Sequence, residues 1–159
     1  MPESLQTDPA SVVADADVLV ADLFVGGAAR EAMDLVRAHT WVELVASDAL
    51  LDDAEAVISE LATADLATAW RERIEDLRVP VDHPEGDHPA LASAYRGRVA
   101  HLLSYDDDLR GGKASAAFGS RLNLSVKTPE GFARLFDPES LYEVVEGGEY
   151  PGPDCDPRS

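Results

Sequence analysis

Residues 11–24, SVVADADVLVADLF, decide the fold. Ser11–Ala14 reads as a short apolar strand that stops at Asp15 and passes directly into a helix. The same unit recurs along the chain. AAREAMDLVRAH has Ala32, Leu35 and Val36 at helical spacing. TWVELVAS at 40–47 reads as a strand, and Ser47 and Asp48 offer caps for a helix over 49–62. A second helix is expected over 64–77, then a short strand VPVD at 79–82. HPEGDHP is a loop of breakers. A helix over about 88–98 leads to a strand at His101–Ser104. After the turn DDDLRGGKA come a short helix near Ser115–Leu122, a strand at Leu124–Lys127, and a helix from Thr128-Pro129 to Phe136. Strand and helix alternate throughout, which predicts an α/β fold with a mostly parallel sheet covered by helices on both faces. The expected domain covers 11–136, with a frayed segment at 1–10 and a peripheral extension and flexible tail at 137–159.

The chain of 159 residues carries 31 acidic and 13 basic residues, a net charge of −18. Only Lys113 and Lys127 are lysines. With 45% hydrophobic residues, the chain is not a disordered acidic tail. Acid spread over the whole surface suits concentrated salt, where the Debye length falls to about 3 Å and self-repulsion is screened. A haloarchaeal cytoplasm is the expected setting. This charge argues against a broad basic nucleic-acid patch, though not against a nucleic-acid substrate held by metal, hydrogen bonds and shape. Cys155 stands alone in the tail, so no intrachain disulfide forms. No apolar run reaches the ~20 residues of a membrane span.

In open parallel sheets, ligands sit at the carboxyl ends of the strands, where the strand order reverses. Asp15 follows the first strand and Asp106 follows the fourth. Ser104, two residues before Asp106, can bond a carboxylate or a metal-bound water. Asp53 lies beside the apolar stripe Leu50, Ala54, Val57, Ile58 and Leu61, whereas Asp52 lies almost opposite it. Asp87 precedes a helix and can serve as its N-cap. Gathered in one cleft, these acids require a cation.

Read together, DADVLVADLFVGGAARE (15–31), VELVASDALLDDAEAVI (42–58), GDHPALASAYRGRVAHLLSYDDDL (86–109) and SVKTPEGFARLF (125–136) resemble the PIN domain, a family of metal-dependent nucleases. The resemblance implies a five-stranded parallel sheet and an acidic pocket for Mg²⁺ or Mn²⁺. Asp15, Asp87 and Asp106 would be its metal ligands and Asp53 a fourth catalytic acid, in place of the family's Glu. Asp17 stands where the family often has Asn. It further implies an endoribonuclease with RNA as substrate, an antitoxin-like protein partner or a homodimer, or else a fold of this kind that binds without cleaving. A phosphoacceptor receiver domain, with Ser104 and Lys127 in its Ser and Lys roles, fits less well: Thr128 separates Lys127 from Pro129, and DHPEGD replaces the expected loop.

Overall fold

The computed structural model describes residues 7–110 and 124–157. Five strands, β1 (Asp8–Ala14), β2 (Glu43–Ser47), β3 (Arg78–Val81), β4 (Val99–Leu103) and β5 (Ser125–Lys127), form one sheet in the order β3-β2-β1-β4-β5. Every pairing is parallel. The helices among the described residues are α1 (Ala16–Phe24), α2 (Gly27–Arg37), α3 (Asp48–Leu61), α4 (Ala64–Leu77), α5 (Pro89–Gly97), α6 (Asp107–Arg110), α7 (Pro129–Leu135) and α8 (Pro138–Val145). The expected fold class is therefore observed, a five-stranded parallel sheet in an α/β/α arrangement. Among the described residues, no helix is long and apolar enough to cross a membrane.

β1 is buried without a break from Ala10 to Ala14, as a central strand covered on both faces must be. It begins three residues earlier than the sequence indicates. Asp8 N donates to Arg98 O at 2.9 Å, and the register against β4 shifts between Asp8 and Val12. This irregular start carries no apolar signal, because Asp8 and Pro9 are exposed.

α3 is turned relative to the expected stripe. Leu50, Leu51, Ala54 and Ile58 are buried, whereas Val57 and Leu61 are exposed. The packed face is displaced toward Leu51 because α4 lies against that side. There Arg71 of α4 bonds Asp52 at 2.7 Å and Glu55 at 2.9 Å. Arg78 ties the end of α4 to Ala46 O at 3.0 Å and pairs with Asp48 and Glu75. On the other flank, Arg37 of α2 grips both oxygens of buried Asp22 at 2.8 and 2.7 Å. Acid next to acid is thus offset by shared guanidinium groups, which suit bidentate pairing.

α5 packs closely on the sheet because its last residue is Gly97. A Cβ built there would stand 2.6 Å from Val45 Cγ1. Gly97→Ala is expected to destabilise the protein by about 1–3 kcal/mol through overpacking, measured by urea unfolding, although helix propensity alone favours Ala by about 1 kcal/mol. A gain in stability would mean that helix and strand are not in close contact.

Residues 137–157, expected to be a peripheral extension and tail, are docked. α8 buries no residue fully. Beyond it, Tyr150 Oη lies 2.6 Å from buried His39 Nε2, and Asp154 accepts from Thr40 N and Thr40 Oγ1 at 2.8 and 2.7 Å. The N–H groups of Asp154 and Cys155 both donate to Ala38 O, just past the end of α2. Trp41 packs edge-on against His39 and Tyr142, each with centroids 5.4 Å apart. The expected helix near Ser115–Leu122 lies outside the described residues.

Candidate functional site

β1 and β4 are adjacent, and the chain leaves β1 in one direction toward β2 and β3 and in the other toward β4 and β5. The carboxyl ends of β1 and β4 therefore border the crevice where strand order reverses. Asp15, directly after β1, is the N-cap of α1, and its Oδ1 accepts from Ala16 N at 2.8 Å. Its Oδ2 accepts from Ser104 Oγ at 2.9 Å. Ser104 follows β4 and is fully buried. The same Oγ accepts from Asp106 N at 3.0 Å. Ser104 N donates to Lys127 O at 2.9 Å and Asp15 N to Leu103 O at 2.9 Å, which locks both residues to the sheet. One hydroxyl therefore links Asp15 to the Asp106 backbone.

Asp17 joins them. It lies in the first turn of α1, and its Oδ2 accepts from Tyr105 N at 3.1 Å. Its carboxyl is held above the usual aspartate range, first by burial and then by the negative charge of Asp15, with a smaller contribution from Asp106. The N–H groups of Tyr105 and Val18 pull the other way. Among the described residues, no Arg, Lys or His pairs with Asp15, Asp17 or Asp106, in contrast to the arginine-held acids on α1, α2, α3 and α4.

Repulsion at Asp17 has a measurable sign. Its folded pKa lies above its unfolded one, so the ionised carboxylate costs stability above the folded pKa, and that cost vanishes below the ordinary aspartate range. In chelator-treated buffer at neutral pH, Asp17→Asn is expected to raise the melting temperature by about 1–3 °C, with the gain shrinking as the pH falls toward 4. Asn keeps an oxygen for Tyr105 N, so a fall at neutral pH would show that the charge is not repelled.

The other two expected acids lie apart from this cluster. Asp53 is exposed on α3 and makes no hydrogen bond or ion pair with the described residues. The turn of α3 toward Leu51 leaves Asp53 about 115° from the packed face at 100° per residue. Asp87 is also exposed and does not cap α5; His88 holds that position, without a side-chain bond. Pro89, at the first helical position, fixes the start one residue later than expected. Among the described residues, no three His, Cys, Asp or Glu side chains converge on a single metal position. The donors that do lie together are hard carboxylate oxygens, which suit Mg²⁺ or Mn²⁺ held partly through water. Asp17 is the member that the residue pattern did not pick out. Its position two residues after a strand-terminal Asp, in a helix first turn, is the signal that could have found it.

A family of unknown function, DUF7384, matches residues 6–158. The chain belongs to this family. No curated protein and no solved structure matches it. The match to DUF7384 corrects the resemblance to the PIN domain, since no PIN family is detected. The physical reason lies in composition. A doubly wound sheet places loops after every strand, and a chain with 31 acids fills such loops with Asp whatever its ancestry. DUF7384 also spans the docked C-terminal segment, which lay outside the resemblance.

Proposed function

We propose that the crevice between β1 and β4 binds a hydrated divalent cation, Mg²⁺ or Mn²⁺, and hydrolyses a phosphodiester, with RNA as the substrate class. The observation that carries this reading is the Ser104 hydroxyl, buried between Asp15 and the Asp106 backbone at the strand-order reversal. Bound there, a cation would activate water and offset charge on the phosphate. Asp15 and Asp106 would hold it, and Ser104 would keep the Asp15 carboxylate oriented, as partners of metal ligands do. Asp17, whose carboxylate binds a proton more tightly than an ordinary aspartate, would be suited to take one from the attacking water.

The exposure of Asp53 and Asp87 favours a second reading, in which the crevice holds a cation without cleaving. Two measurements on one preparation separate them: Mn²⁺ titration by calorimetry, and cleavage of end-labelled RNA with Mn²⁺ in molar KCl. Binding with cleavage supports the first reading, and binding alone supports the second. An absence of saturable Mn²⁺ binding would sink both.

A further inference from the structure

A second feature lies on the face of the sheet that carries α7. His101 on β4 and Lys127 on β5 are two register positions apart and share that face. With Phe132, Leu135, Phe136, Leu141 and Val144 they line a cleft of about 320 Å³. Phe132 and Phe136 stack with centroids 4.8 Å apart, and Phe132 meets the His101 ring edge-on at 5.5 Å. The volume falls at the lower end of the ~300–1,000 Å³ typical of small-molecule sites.

The anomaly is Lys127. The arginines in the ion pairs described above each hold two or more acids. Lys127, in a chain with 31 acids, makes no ion pair among the described residues. Its Nζ lies 3.2 Å from His101 Nδ1. The Pro9 backbone also interacts with the His101 ring. An ammonium has only N–H donors, so Nδ1 accepts from it. Burial and the Lys127 charge hold the imidazole neutral, with its pKa pushed down to about 4. Burial also lowers the Lys127 ammonium from its usual value. The cleft therefore has a largely apolar wall and a cation that makes no ion pair among the described residues.

We propose that this cleft binds a small molecule with a single carboxylate on an apolar body, the carboxylate at Lys127 Nζ and the body against Phe132, Phe136 and Leu141. One ammonium suits a monoanion better than a phosphate dianion, which needs more donors. Asp137 on the rim reinforces this limit on charge. Its carboxylate is already engaged, accepting from Ser140 N at 3.4 Å and from Ser140 Oγ at 2.8 Å. The volume favours a small molecule over a folded partner.

Decanoate is the probe, and decanol is its neutral control. Titration followed by the ring resonances of His101 is expected to saturate with decanoate, and decanol should bind at least about tenfold more weakly. Lys127→Met should bring decanoate down to the level of decanol. Should that variant not fold, Val144→Glu gives the same answer from the exposed lip, by placing a negative charge over the entrance without touching the core. No saturation with decanoate, equal binding of decanoate and decanol, or full binding by either variant would overturn the proposal.

Discussion

Asp15→Asn is expected to lower Mn²⁺-dependent RNA cleavage by about 100–1,000-fold, the effect of losing one preorganised electrostatic group. Asn has nearly the same shape and retains an oxygen for Ala16 N, so the N-cap of α1 survives. The charge is lost, and so is the acceptor for Ser104 Oγ. An Asn amide facing that hydroxyl would donate where Asp15 accepts, which disturbs the link to Asp106 N. Folding should not suffer, because removing a charge beside Asp17 relieves repulsion. Loss of activity with an unchanged or higher melting temperature is therefore the expected pair of results. Ser104→Ala, which leaves all the acids in place, should lose about 10–100-fold by disorienting Asp15. Asp53→Asn and Asp87→Asn, outside the hydrogen-bonded cluster, should act more weakly. Wild-type rates in Asp15→Asn would place any cleavage elsewhere than in this crevice.

Phe132→Ala is expected to cost about 3–5 kcal/mol, the cost of emptying a large buried aromatic position. Phe132 is 1% exposed, touches both Phe136 and His101, and anchors α7 to the sheet. For a chain of this length the melting temperature should fall by roughly 10 °C. The pH profile should change as well. In the wild type, the folded pKa of His101 lies near 4, below its ordinary value. The unfolded chain therefore binds the proton more readily, and stability declines as the pH falls from about 6.5 toward 4. Removing the ring admits water, raises the folded pKa and flattens that decline. Guanidinium unfolding of both proteins across this range tests both parts. A loss below about 1 kcal/mol, typical of a surface substitution, would mean that the ring is not a core element.

Strand and helix alternation was legible because apolar period and capping residues agree. Ser47, Thr63 and Thr128 each accept a backbone N–H in the first turn of the helix they precede, and α4 runs over the expected 64–77. Asp15, Ser104 and Asp106 were legible as candidates because residues after parallel strands share one edge of the sheet. Asp53 and Asp87 were read toward the same edge but lie exposed outside the cluster. Their placement depends on the rotation of α3 and on a loop closed by Pro89, neither of which periodicity fixes. The docking of 150–155 was also illegible, because it rests on polar bonds to the end of α2 made across more than 110 residues of sequence.

That docking gives the protein an intrinsic optical gauge. The chain has two tryptophans. Trp70 is buried on α4, far along the chain from the C-terminal segment, whereas Trp41 sits against His39 and Tyr142 beside the place where Tyr150 and Asp154 attach. Emission from a Trp70→Phe protein would then follow release of the C-terminus in real time, with no dye attached.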